Sequence, residues 1–131
     1  KADQENVNLK IDFPHNNIVL FIDKMAVLAA LSSILENAVD ACVSKNIKGE
    51  ISFLTQIKDP DIIFSIRDNG IGLDENKKDK IFNLFYSEKG NKGTGLGLFI
   101  ASRSIKQHGG TITVDSQLNK FTEFIVTLPL K

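Results

Sequence analysis

The pattern of apolar and polar residues in the first third of the chain predicts two strands and a long helix. Residues 7–13 alternate strictly and predict a strand, and the short apolar run at 18–22 predicts another. Residues 24–45 predict one helix, because they contain neither glycine nor proline and follow Asp23, a suitable N-cap. One face of this helix is apolar and carries Leu28, Leu31, Leu35 and Cys42.

The rest of the chain predicts two strand pairs and two shorter helices. The strands are expected at residues 50–57, 61–67, 111–116 and 121–128, and the helices near 77–85 and 96–108. This order does not alternate strand and helix as a parallel βαβ fold would. We therefore expect an α+β fold, a two-layer α/β sandwich in which helices cover one face of a mixed, mainly antiparallel sheet.

Composition and charge narrow the function classes. The chain has 131 residues, the size of one domain, and its 16 basic residues balance its 16 acidic ones. Because the net charge is zero, sequence-independent nucleic-acid binding is not expected. The single cysteine, Cys42, excludes an intramolecular disulfide and a multi-thiolate zinc site. No unbroken apolar run is as long as a membrane span, and no secretory signal is visible. The chain starts at Lys1 without a methionine, so we expect it to be a fragment of a longer protein.

One stripe of the long helix is polar. Residues 25–44 contain no lysine or arginine, and the stripe opposite the leucines consists of Ser33, Asn37, Asp40 and Ser44. A solvated helix face is one interpretation of this stripe. A lined cavity is the other, because an exposed helix face normally includes basic residues. Carboxamide and carboxylate oxygens are hard ligands that suit Mg²⁺.

A carboxylate stands at the end of an apolar strand in the segment Arg67-Asp68-Asn69-Gly70-Ile71-Gly72. Aspartate, asparagine and glycine are common turn formers, so a simple strand exit explains the pattern. The functional alternative is that Asp68 accepts a hydrogen bond from an exocyclic amine. Gly70 and Gly72 would then let a flat ring approach the backbone.

A second glycine-rich segment, Gly93-Thr94-Gly95-Leu96-Gly97-Leu98, opens directly into a predicted helix. Free backbone N–H groups and the helix dipole at such a start favour a bound anion. A flexible hinge is the alternative for any single glycine. The spacing matches neither the P-loop nor the dinucleotide fingerprint, and the motifs of serine, threonine and tyrosine protein kinases are absent.

Taken in order, these segments resemble the catalytic ATP-binding domain of bacterial sensor histidine kinases. That domain has the Bergerat fold, which it shares with the ATPase domains of gyrase, the ninety-kilodalton heat-shock chaperone and mismatch-repair proteins. The resemblance runs from about Val7 to Leu130. It rests on the N box (31–41), the first glycine box (68–72), the phenylalanine box (81–89), the second glycine box (93–98) and the closing pattern His108-Gly109-Gly110 with Thr122, Phe124 and Leu128-Pro129.

The resemblance implies a role for individual residues. Asn37 would be the main protein ligand of Mg²⁺, and Glu36 would polarise a ligand or orient Asn37. Asp68 would accept a hydrogen bond from the adenine amino group, with Thr122 supporting Asp68 or its bound water. Residues 75–94 would form a mobile lid over the nucleotide, closed against the body by Phe82 and Phe85.

The implied catalytic residues are Glu36, Asn37 and Lys89, and the implied metal ligand is Asn37. The implied nucleotide-binding residues are Asn37, Ala41, Asp68, Gly70, Ile71, Gly72, Phe85, Lys89, Gly93, Thr94, Gly95, Leu96, Gly97, Leu98 and Thr122. Lys89 and the backbone of the second glycine box would cradle the phosphates.

The resemblance also implies the activity and the partners. The domain would use ATP and Mg²⁺ to phosphorylate a histidine on a separate dimerisation domain, in two-component signalling with a response regulator. Neither histidine of this chain lies in an acceptor-helix motif. We therefore expect the fragment, residues 1–131 as one domain, to bind ATP as a monomer without autophosphorylation. Its expected location is the cytoplasm, whether or not the parent protein is anchored in a membrane.

The chain departs from the family pattern at three positions. Ser33 stands where many relatives carry asparagine, Asp40 where many carry a basic residue, and Phe121 where a glycine usually precedes the closing threonine. Three alternative functions use the same boxes: a gyrase- or chaperone-type ATPase, an anti-sigma-type serine kinase and a nucleotide-sensing pseudokinase. An ATPase would need a general base where this chain has Ser33, and the intact Asn37 and Asp68 disfavour a pseudokinase.

Overall fold

A mixed sheet forms one layer of the structure. The computed structural model describes residues 7–12, 24–45, 48–58, 60–83 and 97–129. Within these residues the strands are β1 (Val7–Asp12), β2 (Gly49–Lys58), β3 (Asp61–Asp68), β4 (Thr111–Gln117) and β5 (Phe121–Pro129). Their order in the sheet is β1-β2-β3-β5-β4. All neighbours pair antiparallel except β1 and β2, so the expected mainly antiparallel mixed sheet is confirmed.

The parallel pairing of β1 with β2 departs from the expectation that strand and helix do not alternate as in a βαβ fold. The helix α1 (Lys24–Lys45) lies between these strands in the chain, so the three elements form one βαβ unit. Parallel neighbours need a long crossover connection, and the 22-residue helix supplies it. The expectation that strands and helices do not alternate holds from β2 to β5 and is wrong at this edge of the sheet.

The hydrophobic core lies between one face of the sheet and the helices. Alternate residues of β3 and β5 are buried, namely Ile62, Phe64, Ile66, Phe124, Val126 and Leu128. The helices α1 and α3 (Gly97–Gln107) pack against each other over this face. Ile34 and Ile105, one from each helix, are fully buried. Burial of each such side chain contributes about 1.5–3 kcal/mol to stability.

The buried face of α1 differs in part from its predicted face. Leu31 and Cys42 are buried as predicted, and Leu35 packs partly against the core. Leu28 is 48% exposed, which corrects the prediction. The buried face is centred on Ile34 and Ala38, so Leu28 lies on its flank.

The composition of α1 also bears on the membrane question. Met25–Lys45 has a mean hydropathy of 1.5, and by length and composition it could cross a membrane. Core helices of soluble proteins meet the same test, and this helix buries one side against the sheet. The sequence criterion of unbroken apolar runs was therefore too narrow.

The two shorter helices begin and end where local hydrogen bonds dictate. In place of the helix predicted near 77–85, α2 (Glu75–Lys78) is a single turn, followed by further turns up to residue 83. It begins earlier than predicted because Asp74 Oδ1 accepts from the Lys77 N–H at 3.1 Å and caps it. At the end of α3, the N–H groups of Gly109 and Gly110 donate to the carbonyls of Lys106 and Ile105, a Schellman motif with Gly109 at φ +79°. The predicted strand at 18–22 and the cap Asp23 lie outside the described residues.

Replacing Gly72 with alanine is expected to destabilise the fold. Gly72 has φ +72°, a left-handed conformation that costs an alanine about 1–2 kcal/mol. A Cβ at this position would also clash with the Gln117 carbonyl of β4, which adds to the loss. Urea unfolding should show a lower free energy of unfolding for Gly72→Ala. Gly97→Ala is the control, because a Cβ there would meet Ser33 Oγ at an ordinary 3.6 Å. Equal stability of the two variants would contradict the strain at Gly72.

Candidate functional site

An open cleft separates α1 from the turn that follows β3. Its cavity volume is about 70 Å³, and it is lined by Asn37, Asp40, Ala41, Ser44, Ile71, Gly72, Leu73, Ile81 and Thr122. Three residues of the predicted polar stripe, Asn37, Asp40 and Ser44, therefore share one cavity. The lined-cavity interpretation of the stripe is supported for these three residues. Ser33 lies nearer the N-terminal end of α1, close to Gly97.

A row of polar side chains crosses the inner face of the sheet beside this cleft. Asp68 of β3 pairs in register with Thr122 of β5, and Thr122 pairs with Ser116 of β4. These side chains are at most 3% exposed, although they occupy inward positions that are otherwise apolar in β3 and β5. Buried polar groups cost free energy unless they find partners, so their partners decide what the row can do.

Asp68 carries a buried carboxylate with one partnered and one unpartnered oxygen. Oδ1 accepts from the Gly70 N–H at 2.8 Å. Oδ2 has no hydrogen-bond partner within the part of the chain that the structure describes. Burial raises the pKa of Asp68 from 3.8 to about 6, although the Gly70 hydrogen bond and the charges of Arg67 and Lys45 oppose the rise. An unpartnered buried acceptor of this kind fits a ligand that brings a hydrogen-bond donor.

The raised pKa of Asp68 predicts a pH dependence of stability. The folded pKa of about 6 exceeds the unfolded 3.8, so the folded chain binds the proton more tightly. The contribution of Asp68 is thus most favourable below about pH 4. It is lost as the pH rises through about 6, by up to about 3 kcal/mol.

Urea unfolding of wild type and Asp68→Asn between pH 4.5 and 7.5 checks this expectation. The neutral variant should gain stability relative to wild type as the pH rises, because only the wild type must bury a charge. A stability difference that stays constant over this range would contradict the raised pKa.

The glycines of the turn after β3 make room for protein backbone. A Cβ at Gly70 would lie 2.5 Å from the carbonyl carbon of Ala41, and one at Gly72 would clash with Gln117. The Ile71 N–H donates to the Ala41 carbonyl at 3.1 Å, which fixes the turn against α1. The ligand-facing role expected of these glycines from the sequence stays a prediction. The structure adds a packing role, because the close approaches at both glycines are to α1 and β4.

Lys45 joins α1 to both turns at this end of the sheet. Its Nζ donates to the Asn119 carbonyl at 2.7 Å and to the Asn69 carbonyl at 3.4 Å. The Asn69 side chain in turn accepts from the Glu50 N–H at 2.8 Å. Sequence reasoning did not single out Lys45. The end of α1, the exit of β3 and the turn between β4 and β5 are held together by these bonds.

The other predicted site residues do not all lie at the cleft. Glu36 is exposed on α1 and does not line the cleft. Phe82 packs on Phe124 with ring centroids 5.9 Å apart, as expected for a lid residue that closes against the body. Leu98 packs partly against the core. The remaining predicted phosphate and lid residues lie outside the described residues: Phe85, Lys89, Gly93, Thr94, Gly95 and Leu96.

The oxygen-bearing side chains of the cleft suit a metal ion that takes its other ligands from outside the protein. Among the described residues, no group of three or more histidine, cysteine, aspartate or glutamate side chains could hold a metal ion alone. Asn37 and Asp40 bring oxygen donors to the same cleft. Mg²⁺ typically takes one or two protein oxygens and completes its shell with water and phosphate. The donor set therefore fits Mg²⁺ bound together with phosphates.

Comparison with known proteins decides the family. The family described as "Histidine kinase-, DNA gyrase B-, and HSP90-like ATPase" matches residues 22–131. The chain belongs to this family. The match confirms the resemblance read from the boxes, and it includes every described element except β1.

The relatives of this HATPase-family domain include sensor histidine kinases. The sensor protein RprX of Bacteroides fragilis is 34% identical over 139 residues, which cover 99% of this chain and 26% of RprX. The catalytic domain of histidine kinase ThkA has a TM-score of 0.83 at 26% identity, covering 98% of this chain and 82% of that one. Full-length ShkA in complex with AMPPNP has a TM-score of 0.84 at 24% identity, covering 98% of this chain and 26% of that one, and supports the fold. The chain spans about a quarter of the length of RprX.

Sequence reasoning missed one functional candidate of the HATPase-family domain. Ser116 occupies an inward position of β4, two residues after the apolar Val114. A polar residue at an inward strand position was the available signal. The same signal marks Asp68 and Thr122, which the boxes had already selected.

Proposed function

We propose that this domain binds Mg-ATP and donates the γ-phosphate to a histidine on a separate dimerisation domain. The observation that carries the proposal is the buried carboxylate of Asp68. One of its oxygens has no partner among the described residues, and its register neighbour Thr122 lines the cleft that holds Asn37. Family membership and the sensor-kinase relatives support the kinase role.

At the adenine end of the cleft, Asp68 would accept a hydrogen bond from the exocyclic amine. A charge-assisted hydrogen bond of this kind contributes about 1.5–3 kcal/mol. It would offset part of the desolvation of the carboxylate, of which only Oδ1 has a hydrogen-bond partner among the described residues. The complex of the ShkA relative with AMPPNP supports nucleotide binding by this fold.

At the phosphate end, Asn37 and Asp40 would hold the metal from one face of α1. Mg²⁺ would supply charge neutralisation for the phosphates and the leaving group. Asp40 brings a negative charge to this end of the cleft, so the positive charge needed beside the phosphates would come from lid lysines such as Lys89. The chain's own residues position the donor, and positioning with electrostatic stabilisation is most of what phosphoryl transfer requires.

The wider role is inferred from the family and its sensor-kinase relatives. The 131 residues would act as one catalytic domain, monomeric by itself and unable to autophosphorylate. The partners would be the dimerisation domain that carries the histidine and a response regulator downstream. The working location would be the cytoplasm.

Calorimetric titration with a non-hydrolysable ATP analogue, with and without Mg²⁺, tests the proposal. Micromolar binding that depends on Mg²⁺ is the expected result. Binding in neither condition would overturn it. Phosphotransfer in the full-length protein then separates a kinase from a pseudokinase, because a pseudokinase would bind the nucleotide and leave the histidine unmodified.

A further inference from the structure

The polar row on the inner face of the sheet contains a residue with no role so far. Ser116 is 3% exposed and is the register partner of Thr122, which in turn is the partner of Asp68. Directly opposite residues on neighbouring antiparallel strands have Cβ atoms about 4.5–5.5 Å apart, so Thr122 is in reach of Asp68 on one side and of Ser116 on the other.

The hydrogen bonds of Ser116 assign its single hydroxyl proton. Ser116 Oγ lies 2.7 Å from the Phe121 carbonyl, which can only accept, so Ser116 donates there. Ser116 Oγ accepts from the Leu73 N–H at 2.7 Å. The remaining contact, 2.9 Å to Thr122 Oγ1, then requires Thr122 to be the donor. Ser116 thereby makes one donated and two accepted hydrogen bonds, the full capacity of a hydroxyl.

The consequence for Thr122 is that its hydroxyl can only accept from a ligand. Its proton points at Ser116, while the residue lines the cleft. Asp68 Oδ2, on the neighbouring strand, is also an acceptor and finds no donor, Thr122 included, among the described residues. Two adjacent acceptors without a donor between them match a ligand group that carries two protons, such as an amino group.

We propose that Ser116 is a positioning residue that sets base selectivity. By holding the Thr122 proton, it makes this edge of the cleft accept hydrogen bonds only, which favours 6-aminopurines and disfavours 6-oxopurines. A 6-oxo group is itself an acceptor, so at that position it would face Asp68 and Thr122 without a hydrogen bond. The neighbouring N1–H of a 6-oxopurine can still donate to one of them, so the selectivity is partial. The inference rests on the proposed function, ATP binding in this cleft.

The test compares calorimetric dissociation constants for non-hydrolysable analogues of ATP and of inosine triphosphate, which carries a 6-oxo group. Ser116→Ala frees the Thr122 hydroxyl to rotate and donate. The preference for the ATP analogue is the ratio of the two dissociation constants. We expect this ratio to fall about tenfold in Ser116→Ala. Ser116→Thr keeps a hydroxyl and should keep the preference. Ser65→Ala, on the opposite face of β3, is the matched control and should change neither constant.

Three outcomes would overturn the inference. The first is that Ser116→Ala weakens both analogues by the same factor, as a purely structural role requires. The second is that Ser116→Ala still changes the ratio in a Thr122→Val background. The third is an unchanged ratio of the two dissociation constants in Ser116→Cys, the variant that replaces Ser116→Ala if the latter does not fold. Cysteine is chosen because a thiol donates and accepts hydrogen bonds only weakly.

The failure of the proposed function gives a different result. A wild-type chain that binds neither analogue overturns ATP binding in this cleft and the selectivity inference with it. A wild-type chain that prefers the ATP analogue, together with an unchanged ratio in the Ser116 variants, overturns only the role of Ser116.

Discussion

Replacing Asp68 with asparagine is expected to weaken ATP binding about thirtyfold, equivalent to about 2 kcal/mol. The amide oxygen can keep the 2.8 Å hydrogen bond that Asp68 Oδ1 accepts from the Gly70 N–H. The second oxygen becomes an NH₂ group, which donates and cannot accept from the adenine amine. The substitution therefore removes the ligand contact while preserving the internal one.

Calorimetry on wild type and Asp68→Asn measures this loss. The matched control is Asp61→Asn, at the other end of the same strand and away from the cleft, which should bind like wild type. The stability of Asp68→Asn relative to wild type should rise with pH, since the variant buries no charge. Urea unfolding of both chains at the pH of the titration shows whether weaker binding is separate from a folding defect. An unchanged affinity would refute the assignment of Asp68 to the adenine amine.

Replacing Asn37 with aspartate is expected to reduce phosphotransfer more than about a hundredfold while changing nucleotide affinity far less. Asn37 and Asp40 line the same cleft, one helical turn apart. A second carboxylate beside Asp40 would repel the phosphates and alter the charge balance around the metal. The neutral carboxamide supplies an oxygen ligand without that repulsion.

The measurement is histidine phosphorylation in the full-length protein with labelled ATP, alongside analogue binding to the same variant. Ser32→Asp serves as the control, because it adds the same charge at an exposed position of α1 outside the cleft. It should transfer phosphate like wild type. Full activity of Asn37→Asp would contradict the ligand role of Asn37.

Much of the fold could be predicted because its strands have one buried face. The alternation in β3 and β5 shows directly which residues point inward, so the predicted strand bounds were close to the observed ones. The bounds of α1 were correct as well, because a long segment without glycine or proline leaves few alternatives. The order of the boxes indicated the family, which the comparison confirmed.

The errors came from features that local patterns do not encode. Leu28 is exposed because the width of the buried face depends on what packs against α1. The parallel partner of β1 depends on where the crossover returns to the sheet. How closely α1 and β4 approach Gly70 and Gly72 is also set by the tertiary structure, and the ligand-facing role of these glycines stays a prediction.

The strands, the long helix and the candidate nucleotide-binding residues could be predicted from the chain alone, because hydrophobic periodicity and spaced motifs act over short stretches of chain. The row of Asp68, Thr122 and Ser116 could be recognised only in the folded structure. Strand register sets that row, and register joins residues that are up to 54 positions apart. The folded structure also shows that Asp68 has a buried oxygen without a partner in the described part of the chain, and that the pKa of its carboxyl is about 6. Burial and hydrogen-bond geometry, which no local pattern specifies, are the physical reason.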